Sequence, residues 1–464
     1  MHDQERASAF SRVVHLASQR PVHEAFQWFH LQEPRIMDWQ AELVEIAAPP
    51  FQERDRAEWL CQRFRELGLE EIEIDPTGNA LGTLPPSPSP NASPEAPPEV
   101  LQDPPQDPSN AADPAAPCVL LSAHLDTVFP AGAPIRAARE GHRLKAPGAC
   151  DNGAGLAGLL AIAAALRAAR DKGAALPLPR KILFAGNVGE EGEGDLRGIR
   201  YLYRQSKWRS SIRANIVLDG GGHEVAVTEA LGSRRFLVTI SAPGGHSWTD
   251  AGTPNPIVLM SAVIARLAAL KLAETPRTTP RTTWNVGTIE GGTSVNAIPE
   301  SASARFDFRS TDPEQLVRLE VELHRAVEDA VLAENREAAK LPPRGATRTP
   351  RPAAALVRFE IRKIGDRPAA ALPHDAEILA LLRAVDRHLG IRTELRLAST
   401  DANIPLSLGV EALSMGAGGD GGGVHTYAEW YDAQNRELGL RRILLLLLAL
   451  ASSSPAGSPH ESTL

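Results

Sequence analysis

Five short segments of the chain place acids and imidazoles where they could hold a metal ion. His124-Leu125-Asp126 follows the apolar run Cys118 to Ala123. Residues two apart on an extended chain project to the same side, so His124 and Asp126 can cooperate. A ligating imidazole commonly gives its other N–H to a carboxylate, and Asp126 is placed for that role. Asp151 stands in the polar turn Gly148 to Gly155, where the bland alternative is a helix cap, since Asp and Asn are preferred there. Glu190 and Glu191 sit between Gly189 and Gly192, after the run Lys181 to Ala185. Flanking glycines let the backbone aim two adjacent carboxylates in different directions, one toward a metal and one toward proton transfer. Asp219 ends the run Ile216 to Leu218, and His425 leaves the glycine-rich Gly421-Gly422-Gly423. Each segment alone reads as a solvated loop or a cap. What joins them is their position near the carboxyl ends of strand-like runs, where open α/β sheets place their ligand crevice. His, Asp and Glu donors suit zinc, and no thiolate joins them. Five donors exceed the three of one catalytic zinc; they suit two ions roughly 3.5 to 4 Å apart that share a carboxylate and hold a nucleophilic water.

The elements that must position these residues follow from the apolar pattern. Cys118 to Ala123, Lys181 to Ala185, Asn215 to Leu218 and Ala412 to Met415 are short apolar runs of the kind that form buried parallel strands. Helical patterns separate them, most clearly Gly153 to Arg170, which predicts an open, doubly wound, mostly parallel α/β sheet. Two helices are expected between Met37 and Leu67, broken at Pro49 and Pro50, and an alternating hairpin over Glu70 to Leu84. Between Ser233 and Asp366 the order becomes βαββαβ, with strands at Arg235 to Ser241, Thr282 to Ile289, Ser301 to Arg309 and Val357 to Ile364. Helices near Pro256 to Leu272 and at Pro313 to Arg336 complete this ferredoxin-like α+β pattern. The expected organisation is therefore a first α/β segment at 1–232, an inserted domain at 233–367 and a second α/β segment at 368–464. From Pro85 to Pro117, 12 of the 38 prolines alternate with small polar residues, a composition that buries too little to order itself, so 85–117 is expected to be a disordered insertion.

Composition narrows the function. With 43% hydrophobic and 23% charged residues in 464, the chain has material for two or three globular domains. A net charge of -8 and the lack of a basic block argue against nucleic acid. The longest apolar run, Ile443 to Leu450, falls short of the roughly 20 residues that span a bilayer, so it reads as a buried helix and no membrane is expected. Cys61, Cys118 and Cys150 show no CxxC spacing, and Met1 to Ser18 lacks a signal-like apolar core, which together point to a cytoplasmic protein.

With these motifs in place, the chain resembles the dinuclear zinc peptidase and amidohydrolase family that includes tripeptidase T, glutamate carboxypeptidase, aminoacylase and succinyl-diaminopimelate desuccinylase. The resemblance implies that His124 and Asp219 bind one metal, His425 and Glu191 the other, and that Asp151, ahead of a cis peptide to Asn152, bridges both. It implies Glu190 as general base, with a pKa above that of an exposed Glu, and Asp126 as the partner of His124. The inserted domain would be a dimerisation lid, its motifs recurring as Gly244-Gly245-His246-Ser247, Thr293 to Pro299 and Asp307-Phe308-Arg309. His246 would then reach across a homodimer to the oxyanion, with Asn296 and Arg309 on the substrate. For Arg309 the bland alternative is a strand-edge salt bridge worth under about 1 kcal/mol, although a planar guanidinium suits a carboxylate.

The resulting expectation is a hydrolase with two divalent ions, zinc first and cobalt or manganese as alternatives, acting on short peptides or N-acyl amino acids. The segment Gly245-His246-Ser247-Trp248 and the full Thr293 to Pro299 motif look closest to tripeptidase T-like members. A carboxypeptidase-like N-acyl amino acid deacylase is the alternative within the enzyme reading. From another class comes a non-catalytic homologue that binds peptides or small molecules, against which the intact Glu190 argues. Cys150 is read as packing beside Asp151, and His142, His223 and Trp284 as loop or packing residues.

Overall fold

The computed structural model describes residues 2–86, 116–171, 178–270, 281–340 and 356–452. The insertion expected at 85–117 lies, apart from its ends, outside the described residues. Two compact units emerge, one of residues 1–228 and 371–464 and one of residues 229–370.

The first unit is built on a nine-stranded mixed sheet. Its centre is parallel, in the order Lys181–Asn187, Cys118–His124, Ile212–Leu218 and Glu411–Met415. These are the four apolar runs of the sequence, each lengthened by a residue or more. Antiparallel strands flank them: the hairpin Glu70–Ile74 and Ala80–Leu84 on one side, Val225–Ala230 on the other. Neither strand of the hairpin alternates in burial: Glu70–Ile74, at the sheet edge, is exposed or half-buried throughout. Ala80–Leu84 is buried at all five positions because it lies inside the edge strand and is covered on both faces.

Cys118–His124 lies between Lys181–Asn187 and Ile212–Leu218, the next two strands of this sheet in sequence. After it the chain crosses by the helix Gly153–Asp171 to one side and returns by Arg197–Arg204 to the other. Crossovers of one hand in opposite directions put their helices on opposite faces of a sheet and open a crevice at the reversal point. Leu120, Leu183 and Ala185 pack with Ile199, Leu202 and Trp208 on one face. Gly153–Asp171 packs on the same central strands from the other side, joined by Arg436–Ala451. Gly155 permits the close approach: a Cβ there would lie 2.8 Å from the Leu218 carbonyl oxygen. Gly153–Asp171 is long and apolar enough to cross a bilayer, yet 83% of its apolar window is buried, as in a core helix. The run Ile443 to Leu450 is a buried helix, as its pattern predicts. The N-terminal segment, read from sequence only for its lack of a leader, forms helices His2–Ala17 and Arg20–Leu31, the second burying Val22, Ala25 and Phe29 along one stripe.

The second unit is an antiparallel four-stranded sheet in the order Thr282–Gly291, Ser301–Ser310, Gly232–Ser241, Arg358–Arg367. That is the ferredoxin-like order expected from βαββαβ. Helices Pro256–Ala269 and Pro313–Lys340 bury Met260, Val263, Leu319 and Leu323 against Phe236, Val238, Phe306 and Phe308. The chain enters and leaves this unit at 228/229 and 370/371, because the short connections into Gly232–Ser241 and out of Arg358–Arg367 belong to it.

Candidate metal centre

Side chains from five segments of the first unit meet at the carboxyl edge of the parallel strands. His124, at the end of the central strand, is 1% exposed. Its Nε2 lies 3.0 Å from Asp151 Oδ1 and 3.9 Å from Asp219 Oδ1. The second Asp151 oxygen is 2.9 Å from His425 Nε2, which is also 2.9 Å from Glu191 Oε1. Three groups result in which the ligand atoms all lie within 4.8 Å of one another: His124, Asp151 and Asp219; Asp151, Glu191 and His425; and His124, Glu190 and Glu191. Nitrogen and carboxylate oxygen donors of this kind, set on either side of one shared carboxylate, fit two zinc-like ions. His124 and Asp219 could hold one and His425 and Glu191 the other, with Asp151 between them.

Local structure explains the convergence. Asp219 directly follows the strand Ile212–Leu218, and the Glu190-Glu191 pair comes three residues after Lys181–Asn187. Asp151 is set by its neighbour: the Asp151–Asn152 peptide is cis, and the Asn152 side chain is wholly buried. Asn152 Nδ2 donates to the Leu218 carbonyl at 2.9 Å, while Oδ1 accepts the amides of Gly155 and Gly220, each at 3.1 Å. One side chain thus caps the helix start and joins it to the strand end bearing Asp219. Cys150 packs here, its Sγ accepting the Gly221 amide at 3.3 Å.

Asp126 serves two neighbours at once. Its carboxylate accepts the amides of Glu190 at 2.9 Å and Glu191 at 2.7 Å, which fixes the turn carrying both acids. His124 Nδ1 is 3.0 Å from the Asp126 backbone carbonyl and 3.6 Å from its carboxylate, so the ring hydrogen goes to the main chain and the carboxylate acts by charge. Behind them Arg56, on the helix Arg54–Glu66 and 1% exposed, donates to the carbonyls of Ile46 and Leu125. Asp401, also buried, accepts from Asn187 Nδ2 at 2.7 Å, and burial pushes its carboxyl up to about 7.

The electrostatics follow from crowding. Burial opposes a charged His124, but the carboxylates of Asp126, Asp151 and Asp219 outweigh it and hold its pKa well above the ordinary value. His425, hydrogen-bonded to Asp151 and half-exposed, is raised to about 9. Burial works to raise Asp151, yet the two imidazoles bring it below the usual carboxylate range. Glu191 is raised, first by burial and then by the charge of Asp151.

The other candidate residues lie in the second unit. His246 is exposed on a two-residue strand paired with Ala297–Ile298. Its Nδ1 accepts the amides of Trp248 at 3.2 Å and Thr249 at 3.4 Å, which leaves the ring proton on Nε2 as a donor. Asn296 is its neighbour in this corner, with its carbonyl accepting from Ser247 N at 2.9 Å and its Oδ1 from Ser294 Oγ at 2.6 Å. Arg309 stands at the other end of Ser301–Ser310, roughly 26 Å along the strand from Ser301 at 3.3 Å per residue. Its Nε donates to Asp307 Oδ2 at 2.7 Å. Within one copy of this unit, then, His246 and Asn296 meet and Arg309 does not join them. Trp284 packs on the core of the unit. Arg56 and Asp401 carry no signal in the sequence; Asn152, next to Asp151 in a glycine-rich turn, carries one as a helix cap and, through the resemblance, as the residue after the cis bond.

This geometry defines a class, and comparison with known proteins agrees. A profile of the peptidase dimerisation domain matches residues 228–335, and one of peptidase family M28 matches residues 108–236. The chain is 32% identical over 94 residues to a succinyl-diaminopimelate desuccinylase of Nitrosospira multiformis; the match spans 20% of this chain and 25% of that relative. Among solved structures, the aminopeptidase PepT of Bacillus cereus aligns with a TM-score of 0.63 at 18% identity, over 90% of this chain and 99% of its own. A tripeptidase of Staphylococcus aureus aligns with a TM-score of 0.64 at 18% identity, over 91% and 99%. The resemblance carried by the motifs is borne out: the chain has the fold of the dinuclear metallopeptidases of the M20/M28 type and carries the peptidase dimerisation domain.

Proposed function

We propose that the protein is a two-metal hydrolase that cleaves the peptide bonds of short peptides. One observation carries this reading: the two oxygens of Asp151 each face a different imidazole, His124 and His425. When bound, zinc, or cobalt or manganese on the same donors, would polarise the scissile carbonyl and acidify the attacking water. Glu190, 7% exposed and grouped with His124 and Glu191, takes the proton of that water and returns it to the leaving nitrogen. Asp126 holds the Glu190-Glu191 turn while this happens. His246, through its Nε2 hydrogen, would stabilise the oxyanion, and Asn296 and Arg309 would hold substrate, in a homodimer formed through the inserted unit.

Short peptides are favoured by the structural likeness to an aminopeptidase and a tripeptidase. The likeness to a desuccinylase supports a second reading, an N-acyl amino acid deacylase. A panel of free, N-blocked and C-amidated di- and tripeptides and N-acyl amino acids, offered to metal-loaded protein, separates them. A peptidase that recognises the free amino terminus cleaves the first and fails on N-blocked substrates, whereas a deacylase does the reverse. Hydrolysis of no member would leave a binding homologue. Glu190→Gln should keep both metals and lose about 100-fold or more in kcat; full activity in that variant removes Glu190 from the chemistry.

A further inference from the structure

We infer that Glu429 is a positioning residue of the metal centre, whose carboxylate clamps the loop bearing Asp151 to the segment bearing His425. The inference rests on the two-metal reading above. Glu429 is 1% exposed. Its Oε2 accepts the Gly148 amide at 2.8 Å, and its Oε1 accepts the amides of Cys150 and Asp151, both at 2.8 Å. Its own carbonyl accepts the Ala146 amide at 3.1 Å. One residue further on, Trp430–Asp432 pairs with Arg143–Lys145, with Trp430 opposite Lys145. The two segments are therefore joined continuously, first by strand pairing, then by the main chain of Glu429, then by three amides on its side chain.

Three amide hydrogens converging on one carboxylate form a charge-assisted cradle with a fixed direction. Because Asp151 lies between His124 and His425, a shift of its loop disturbs the donors on both sides. Because His425 lies four residues before Glu429, the same clamp sets the spacing between Asp151 and His425. Gln at 429 would keep the shape but offer one acceptor oxygen, and its amide group would confront an N–H that now finds a carboxylate.

The test is a zinc titration of the metal-free full chain, by calorimetry and by competition with a chromophoric chelator, on wild type, Glu429→Gln and Glu411→Gln. Glu411 is a matched control: it accepts the amides of Glu377 and Ile378 at 2.9 and 2.8 Å, at the amino end of its strand and away from the donors. Glu429→Gln is expected to weaken zinc binding about 10- to 100-fold, as is usual when a partner holding a metal ligand is lost. Glu411→Gln should bind as wild type. Activity lost by Glu429→Gln at limiting zinc should return with excess zinc, while the metal-free variant keeps the wild-type circular dichroism spectrum; a metal-free variant that has lost that spectrum would show a folding defect that zinc merely reverses. Binding by Glu429→Gln within about threefold of wild type, well inside that range, overturns the inference. Failure of wild type to take up two zinc ions overturns the two-metal reading itself. Should Glu429→Gln not fold, Glu429→Asp carries the test by the same criterion, since it keeps the charge and shortens the reach.

Discussion

Asp126→Asn changes one atom's identity and removes a charge from a side chain with no exposure. In the native protein the two carboxylate oxygens accept from Glu190 N and Glu191 N at 2.9 and 2.7 Å. Asn can accept one of these; its amide nitrogen faces the other N–H and leaves it unpaired. A lost charge-assisted bond is worth about 1.5 to 3 kcal/mol, and the weakening of its companion brings the total to about 3 kcal/mol. That is a factor of about 150 in the folding equilibrium. In urea melts of the metal-free full chain at neutral pH the midpoint should fall by about 1 M. At saturating zinc, kcat/KM should fall about 10- to 100-fold, because the turn bearing Glu190 and Glu191 is no longer fixed. Burial pushes the Asp126 carboxyl up, but His124 and the two amides prevail and hold it below its ordinary value of 3.8. A depressed acid stabilises above its unfolded pKa and ceases to do so as pH falls through the folded one. The difference between wild type and variant should therefore close on acidification below about pH 4. A midpoint within about 0.2 M of wild type, with kcat/KM unchanged, would refute the claim that the carboxylate charge holds this turn.

Other expectations are equally open to measurement. Because His425 is raised from 6.5 to about 9 by Asp151, its contribution to the metal-free protein is complete below pH 6.5 and lost as pH rises through about 9; stability melts of wild type against His425→Ala across that window check it. Burial pushes the Cys61 thiol up to about 11 and those of Cys118 and Cys150 to about 12, so a disulfide-exchange reagent at pH 8 should label them only after unfolding. Gly155→Ala would put a Cβ 2.1 Å from Asn152 Oδ1 and 2.8 Å from the Leu218 carbonyl, and calorimetric titration should show weaker zinc binding along with a lower melting temperature. Asp386→Ala leaves the buried Arg442 guanidinium without its carboxylate partner and should cost about 3 to 5 kcal/mol in denaturant melts.

The parallel centre of the sheet was legible because strands buried on both faces are uniformly apolar, and runs such as Cys118 to Ala123 have no other economical use. The candidate donors were legible because acids and imidazoles just beyond such runs stand out against an apolar background. What remained hidden acts through the main chain. Glu429 looks like any acid in a polar loop, and its partners are backbone amides some 280 positions away, which leave no trace in residue types. Arg56 reads as a surface residue of an amphipathic helix, yet its guanidinium ends on two carbonyls in the interior. The N-terminal helices are hard to read for a related reason: the buried stripe Val22, Ala25, Phe29 is short and interrupted by histidines, and only its packing against Gly153–Asp171 gives it meaning.

The parallel pairing of Glu411–Met415 with Ile212–Leu218 bears on how the molecule is made. On the ribosome, Ile212–Leu218 leaves the exit tunnel long before its neighbour and waits with one edge open while the inserted unit is translated. During that interval the nascent chain already has His124, Asp151, Glu191 and Asp219 but lacks His425. Synthesis order thus delays completion of the candidate metal centre until the returning segment has docked, and it leaves the waiting strand edge exposed to non-native pairing in the meantime.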